Sequence, residues 1–319
     1  MKKRRRLKKE VYFVLIGLVI FIILIVIGID KFKEYKYHQT NEYHLLEKEY
    51  NEEETSEILK LDDELIKYFL NNEKNSKIIS LIKEKYYLNK NFDKYLEYLN
   101  DNPTLDTATI VRDINIHLNY EFYEKTYKAN TNLDTAILVN KYYYLESDYI
   151  PDDLVNISQT YSWGENGSQK TRQVVYDAFI DMWNAANKEG YYLMVNSSFR
   201  NYQDQESVYN AYKNTSGETY ANSIATKPGF SEHQTGLALD IFSKSNTNKN
   251  TFKDTPEAKW LKENAYKYGF ILRYPEEFEE VTGITFEPWH YRYVGKDIAK
   301  YIYENNITFD EYYAYFLED

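Results

Sequence analysis

A run of nineteen uncharged, mostly apolar residues lies near the amino terminus, from Val11 to Ile29. As an α-helix, which rises about 1.5 Å per residue, this run crosses most of a hydrocarbon layer ~30 Å thick. A cleaved signal peptide has a shorter apolar core of about 7 to 15 residues and a small-residue cleavage site, and neither is present here. The run therefore predicts an uncleaved transmembrane helix, with late cleavage as the alternative.

Positive charge is concentrated on the amino-terminal side of this run. The first ten residues carry seven Lys or Arg, whereas Lys31, Lys33 and Lys36 follow the run. An excess of basic residues is typical of the cytoplasmic flank of a membrane helix. We predict a cytoplasmic basic tail at residues 1–10, a cell-membrane anchor at residues 11–29 and an extracellular location for everything that follows.

The part of the chain after the basic tail is acidic and lacks cysteine. Residues 11–319 hold 32 Lys or Arg and 49 Asp or Glu. Such a surface repels phosphate backbones, so the composition predicts no nucleic-acid partner. Without cysteine, disulfides, thiolate zinc sites and a cysteine nucleophile are excluded. Any zinc site must therefore use histidine and carboxylate ligands.

Residues 30–132 are charged, with apolar residues that recur at helical spacing. The pattern predicts helices at Glu57–Leu70 and Ser76–Leu88, and a third short helix from Phe92 that ends before Pro103. The apolar residues recur too often for a disordered tether. We predict a small helical spacer that holds the rest of the protein away from the membrane, with binding of a protein partner as the alternative.

From residue 133 onward the pattern indicates a separate domain, residues 133–319. Its predicted strands are separated by helices and loops without a regular βαβ rhythm, which favours an α+β fold with a small antiparallel sheet flanked by helices. The predicted strands are Tyr191–Asn196, a central strand through Asp240, Phe270–Tyr274 and Thr285–Val294. The predicted helices are Ser168–Lys188, Asn201–Asn214, Thr219–Ala225, Pro256–Tyr268, Lys296–Glu304 and Phe309–Leu317.

The central stretch of this domain, Pro228–Asp240, contains two residues that can offer a lone pair to a metal. These are His233 and Asp240. A Pro-Gly turn leads into an alternating pattern that predicts a strand. On a strand, Ala238 and Asp240 share one face and the apolar residues beside them share the other. One face can therefore line a site while the other packs in a core.

The domain from residue 133 onward holds two histidines, His233 and His290. Catalytic zinc usually keeps three protein ligands and leaves one position open for water. Two imidazoles and a carboxylate make such a set, so we predict that His233, Asp240 and His290 bind one Zn²⁺.

Glu287 lies three residues before His290 and is predicted to act as a general base rather than as a ligand. A role as hydrogen-bond partner of a ligand is the alternative. On a regular strand this spacing points the two side chains to opposite faces. We therefore expect a bulge at Pro288 that turns both toward one metal.

Arg200 ends a predicted strand and is a candidate substrate contact. Its guanidinium is permanently charged and can hold either an oxyanion or a carboxylate. Gln205, near the start of the next helix, and Ser231 are expected to point into the same cleft, with capping or packing as the alternative for each. Arg273 and Arg292 are expected to brace the fold.

Several motifs in this domain resemble one known family. They are Ser197-Ser198-Phe199-Arg200 with Gln205, Ser231-x-His233-x-x-Gly236-x-Ala238-x-Asp240, Trp260 to Phe270 with Asn264-Ala265 and Tyr268-Gly269, and Glu287-Pro288-Trp289-His290-x-Arg292-Tyr293-Val294-Gly295. Over about residues 134 to 305 the chain resembles the VanY-type D-alanyl-D-alanine carboxypeptidases, a family of zinc peptidases. The resemblance implies that His233, Asp240 and His290 bind zinc, that Glu287 is the catalytic base, and that Arg200 contacts the substrate or its transition state.

The same resemblance implies a function at the cell wall. We expect a membrane-anchored zinc D,D-carboxypeptidase that removes the terminal D-alanine from peptidoglycan stem peptides. One alternative is an L,D-carboxypeptidase acting on tetrapeptide stems, and another is a catalytically silent member that binds the cell wall. The presence of Glu287 and Arg200 argues against a silent member, because a pure binding protein needs no base beside the metal.

Overall fold

A computed structural model of the protein describes residues 9–164 and 168–318. The chain divides into two compact units, Met1–Val111 and Arg112–Asp319. Most of the predicted basic tail, residues 1–8, lies outside the described residues.

The second unit begins before the predicted boundary at residue 133. Ile116 packs with Val281 and Ala314, and Ala129 belongs to a buried cluster that also contains residues from the carboxy-terminal helices. Residues 112–132 are therefore part of the second unit, and the predicted spacer is correspondingly too long.

The first unit is helical. Its elements are α1 (Lys9–Tyr37), α2 (Asn41–Glu47), α3 (Glu52–Ile58), α4 (Asp63–Asn71), α5 (Ser76–Ile82) and α6 (Phe92–Asp101), and α7 (Thr107–Asn115) follows across the division between the units. Within α1, residues 11–37 form a helix long and apolar enough to cross a membrane. The most apolar stretch of this helix is not buried against the rest of the described residues. A signal sequence near an amino terminus can also meet these criteria of length and apolar composition.

The helix predicted at Glu57–Leu70 is wrong, because this region contains the end of α3 and the whole of α4. Asp62 interrupts it by accepting a hydrogen bond of 3.0 Å from the backbone N–H of Leu65. Aspartate is a favoured N-cap, so its side chain starts a new helix where the apolar spacing alone predicted a continuous one. The helix predicted to run from Ser76 to Leu88 also ends early, whereas the third predicted helix is confirmed as α6.

The second unit mixes helices with short strands. Its strands are β1 (Tyr127–Lys128), β2 (Tyr143–Tyr144), β3 (Leu154–Asn156), β4 (Lys170–Arg172), β5 (Leu193–Ser197), β6 (Ala238–Ser243), β7 (Phe270–Leu272) and β8 (His290–Tyr293). Its helices are α8 (Gln173–Lys188), α9 (Tyr202–Ser216), α10 (Glu218–Ile224), α11 (Lys249–Phe252), α12 (Pro256–Asn264), α13 (Glu279–Thr282), α14 (Lys296–Asn305) and α15 (Phe309–Phe316). The helix predicted from Ser168 begins only at Gln173, because the residues before it form strand β4, which pairs with β3.

The central sheet has the strand order β5-β6-β8-β7, and all neighbouring strands are antiparallel. This arrangement confirms the predicted α+β class with a small antiparallel sheet. Between β6 and β8 the register places Asp240 directly opposite His290. Directly opposite residues share one face of a sheet with their Cβ atoms about 5 Å apart. The pairing of the two strands thus brings the two side chains together.

The other face of β6 packs in the main core of this unit. Leu239 and Ile241 are fully buried and join a cluster with Val175, Phe179 and Met182 of α8. Full burial of such a side chain contributes about 1.5–3 kcal/mol. The core packing of Leu239 and Ile241 thereby holds the strand in place on the face opposite Asp240, as the alternating pattern predicted.

Candidate functional site

Three separate elements supply the candidate metal ligands. His233 lies in a short 3-10 helix, Glu232–Thr235, which ends at Gly236 in the left-handed conformation (φ 68°). Asp240 lies on β6, and His290 begins β8. One potential ligand atom from each of these three buried side chains lies within 4.8 Å of the others. A single cation can therefore be reached by all three.

Hydrogen bonds determine which imidazole nitrogens face this point. His233 Nδ1 lies 2.7 Å from the carbonyl oxygen of Ser198, so Nδ1 donates and Nε2 keeps its lone pair. His290 is oriented the other way, with Nε2 3.4 Å from Glu232 Oε2. The free nitrogens, His233 Nε2 and His290 Nδ1, lie 3.5 Å and 3.2 Å from Asp240 Oδ1.

The donor set fits a divalent cation. Asp240 Oδ1 is buried and accepts no hydrogen bond of normal geometry within residues 9–164 and 168–318. A buried carboxylate oxygen without a partner is costly, and a cation between it and the two imidazoles removes that cost. Imidazole nitrogen and carboxylate oxygen are both usual zinc ligands. His233, Asp240 and His290 are therefore suited to hold Zn²⁺.

The two histidines have opposite protonation tendencies. Burial, together with the positive charge of Arg200, lowers the pKa of His233 to about 4. Burial also disfavours protonation of His290, but the adjacent carboxylates of Asp240 and Glu232 outweigh this and raise the pKa to about 9. Burial alone would raise the pKa of Asp240, whereas both histidines hold it well below its usual value. Because a ligating imidazole must be neutral, metal binding here competes with protonation of His290.

Glu287 precedes β8 in the chain and is not part of the strand, so the strand predicted at Thr285–Val294 is too long. Pro288 and Trp289 form a turn, in which the N–H of His290 donates to the carbonyl oxygen of Glu287 at 3.0 Å. This turn, and not a bulge within a strand, directs both side chains to one place.

The Glu287 carboxylate is suited to proton transfer. Its Oε2 lies 3.6 Å from His290 Nδ1. Burial raises the pKa of Glu287 to about 7, although the neighbouring His290 opposes the shift. A carboxyl group whose pKa lies near neutral pH can both accept and donate a proton efficiently.

The structure also brings the three candidate substrate contacts to this cavity. Arg200, Gln205 and Ser231 line it together with the candidate ligands and Glu287. Within the part of the chain that the structure describes, Arg200 Nε and Gln205 Oε1 are buried without a hydrogen-bond partner. The amide nitrogen of Gln205 donates to the carbonyl oxygen of Thr226 at 2.8 Å, which fixes the side chain. Unpaired polar atoms of this kind are suited to bind polar groups of a ligand.

Glu232 supports the site, and the sequence patterns did not single it out. This fully buried carboxylate accepts hydrogen bonds from Arg273 Nε at 2.8 Å and Arg292 Nη1 at 2.9 Å, in addition to its contact with His290. Arg273 also pairs with Asp310 at 2.6 Å. A carboxylate bound to the second nitrogen of a metal-ligating histidine fixes the ring orientation. The position of Glu232 directly before the candidate ligand His233 was the sequence signal that could have indicated this role. Arg273 and Arg292, through their contacts with Glu232, brace the fold as expected.

Comparison with known proteins matches this unit to one family. The family model described as VanY, D-alanyl-D-alanine carboxypeptidase, matches residues 168–296. The YodJ protein of Bacillus subtilis (strain 168) is 44% identical over 179 residues, which cover 55% of this chain and 66% of that protein. A D-alanyl-D-alanine carboxypeptidase of Enterococcus faecium is 34% identical over 203 residues, which cover 61% of each chain.

A solved structure is also similar. The structure of the LdcB LD-carboxypeptidase shares 41% sequence identity with this chain, with a TM-score of 0.56. The match covers 60% of this chain and 90% of that one. By contrast, this chain spans between half and two thirds of the length of the curated relatives that it matches.

Proposed function

Because the chain belongs to the VanY family of D-alanyl-D-alanine carboxypeptidases, we propose that it is a zinc-dependent carboxypeptidase that removes the terminal D-alanine from peptidoglycan stem peptides. The observation that carries this proposal is the convergence of four side chains in one cavity. His233, Asp240 and His290 present their ligand atoms to one point, and Glu287 lies beside them without being needed as a ligand.

The proposed reaction is hydrolysis of the last peptide bond of the stem. Zn²⁺, when bound, acts as a Lewis acid toward the scissile carbonyl and lowers the pKa of a water molecule. Glu287 accepts a proton from the attacking water and passes it to the amino group of the departing residue. Its pKa of about 7 suits both steps at neutral pH.

Arg200 is proposed to bind the terminal carboxylate of the substrate or the developing oxyanion. Its guanidinium faces the cavity with Nε unpaired within the described residues, so an anionic group gains a charge-assisted hydrogen bond there. Gln205 and Ser231 are proposed as polar contacts to the same part of the substrate. Both are buried and line the same cavity.

Two specificities are compatible with this chemistry. We propose D,D-carboxypeptidase activity, which agrees with the name of the family and of the Enterococcus faecium relative. L,D-carboxypeptidase activity on tetrapeptide stems is the second candidate, favoured by the 41% identity to the LdcB LD-carboxypeptidase.

The test is to incubate the soluble part of the protein, residues 30–319, loaded with zinc, with pentapeptide and tetrapeptide stems. Release of D-alanine from the pentapeptide alone supports D,D specificity, and release from the tetrapeptide alone supports L,D specificity. A zinc-loaded protein that releases D-alanine from neither stem overturns the proposal in favour of a silent binding protein.

The proposed location is the outer face of the cell membrane. The length and apolar composition of α1 support an anchor, and the basic residues before it support a cytoplasmic amino terminus. The helices that follow α1 are proposed as a spacer that holds the catalytic unit near the peptidoglycan.

A further inference from the structure

The cavity that holds the candidate ligands continues into a second groove. Tyr212, Ile224, Lys249, Glu287 and Trp289 line both spaces. The second groove is additionally bordered by Lys253 and by the aromatic rings of Tyr220 and Phe286. The two spaces therefore form one cleft, and Glu287 lies where they meet.

The orientation of a peptide in this cleft follows from the proposed function, on which the following inference rests. Arg200 and Gln205 line the first space and not the second, whereas Lys253 lines the second and not the first. A peptide whose terminal carboxylate reaches Arg200 has its scissile bond beside Glu287. Its amino-terminal part is then directed into the second groove.

The second groove is positively charged in an otherwise acidic protein. The whole chain carries a formal net charge of −11. Lys249 and Lys253 are exposed, and neither forms an ion pair with a carboxylate in the part of the chain that the structure describes. Lys249 Nζ lies instead 4.8 Å from the centre of the Trp289 ring. Glu287 is the only acidic side chain among the described residues that line this groove.

We propose that Lys249 and Lys253 form a subsite for a carboxylate on the amino-terminal side of the scissile bond. Lys249 acts electrostatically on Glu287, but among the described residues neither ammonium group is within ion-pair distance of a carboxylate, so both charges are accessible to a ligand. The ring of Trp289 holds the Lys249 ammonium over the groove through a cation–π contact. The subsite therefore selects stems that are anionic before the cleavage point over stems in which that charge has been removed.

The test compares two peptides that end in the same D-alanine and differ at one group. One contains a γ-linked D-glutamyl residue with a free α-carboxylate, and the other carries an α-carboxamide at that position. The zinc-loaded wild-type protein is expected to prefer the carboxylate peptide by roughly three- to tenfold in kcat/KM, and the preference should shrink as salt is added. Lys253→Gln should remove most of this preference through KM, and Lys249→Gln should remove it as well.

Lys259→Gln is the matched control, because this exposed lysine of α12 carries the same charge and does not line the cleft. It should keep the wild-type preference. Release of D-alanine from both peptides without any preference overturns the inference and leaves the proposed function intact. A preference that persists in both cleft variants, or that falls equally in Lys259→Gln, also overturns it. A wild-type protein that cleaves neither peptide overturns the proposed function and this inference with it.

Discussion

Under the proposed function, Glu287 is the residue at which a substitution is expected to separate catalysis from metal binding. Its carboxylate lies 3.6 Å from His290 Nδ1 but is not required in the three-ligand set. We predict that Glu287→Gln lowers D-alanine release by about 10²–10⁴-fold, because the amide cannot accept the proton of the attacking water. Zinc content should stay near one ion per chain. The measurements are amino acid release and metal analysis of the same preparation.

His233→Ala is the control for this prediction. Removal of one of three ligands should lower both the zinc content and the activity. If Glu287→Gln also loses its zinc, Glu287 is a ligand or an essential support of the site, and its assignment as a free base is wrong.

The sequence predicts the candidate ligands better than it predicts their support. His233 and His290 are the histidines of the second unit apart from His117, and each lies in a segment with strong turn signals. Glu232 is different, since its role depends on contacts with Arg273 and Arg292, 41 and 60 residues further along the chain. Local spacing carries no information about such long-range contacts, so the support of His290 becomes visible only in the folded chain.

Gly236 joins two elements of the site, the 3-10 helix that carries His233 and strand β6. It adopts φ 68°, and an added Cβ would lie 3.0 Å from Arg172 Cγ and 3.0 Å from Leu154 Cδ2. We predict that Gly236→Ala destabilises the fold by more than the roughly 1 kcal/mol expected for the backbone alone. Zinc affinity should fall by about tenfold, because the linkage between the two ligands shifts. Urea unfolding and zinc titration measure the two effects.

Gly190→Ala is the matched control, because Gly190 also has a positive φ, 87°, but an added Cβ there meets no atom within 4 Å. This variant should show the backbone cost alone and normal zinc affinity. Equal losses in the two variants would mean that the contacts around Gly236 contribute nothing to the site.

Lys141 connects three segments near the substrate cleft. Its Nζ donates to the carbonyl oxygen of Asn222 at 2.7 Å and to that of Gly283, and it lies 4.6 Å from the centre of the Phe122 ring. Ile284, directly after Gly283, lines the cavity that holds the candidate metal ligands. Among the described residues this buried ammonium has no carboxylate partner, so burial lowers the pKa of Lys141 from 10.5 to about 8.

This depressed pKa predicts a stability that rises with pH. Between about pH 8 and 10.5 the unfolded chain keeps the Lys141 proton while the folded chain releases it, so the free energy of unfolding increases with pH over that interval. We predict that the wild type gains about 3 kcal/mol relative to Lys141→Met between these limits. Urea unfolding of both proteins at pH 7.5, 9 and ~10.5 tests this. A constant difference between the two proteins across this range would contradict it.

Helices and strands were predicted correctly where their own residues are enough to determine the secondary structure. Strand β6 follows from its alternation and the helix α12 from its apolar spacing and the Pro256 start. Glu287 was placed on a strand because Thr285–Val294 is rich in residues that favour strands. In the structure, β8 covers only His290–Tyr293: residues 290–292 pair with β6, and residues 291–293 pair with β7. The start of β8 depends on where its pairing with neighbouring strands begins, which local composition does not reveal.

At the scale of the whole molecule, the candidate functional residues are confined to one of the two units. The second unit holds every candidate catalytic, metal-ligating and substrate-binding residue, from Arg200 to His290. The predicted start at residue 133 misses its first residues, because residues 112–132 resemble the preceding helices in composition but pack in the second core. A fragment that starts at residue 133 would therefore lack part of that core.

The amino-terminal helix α1 is the candidate membrane anchor of the proposed catalytic unit. An apolar helix of this length is stable in a bilayer because it satisfies its own backbone hydrogen bonds. We predict that the full-length chain remains in the membrane fraction after extraction at alkaline pH, and that deletion of residues 1–29 releases it. Protease added to intact cells lacking their wall should remove the second unit, because the basic residues before α1 favour a cytoplasmic amino terminus. If the mature chain instead starts after residue 29 and is found in the medium, α1 is a cleaved signal sequence and the anchor is excluded.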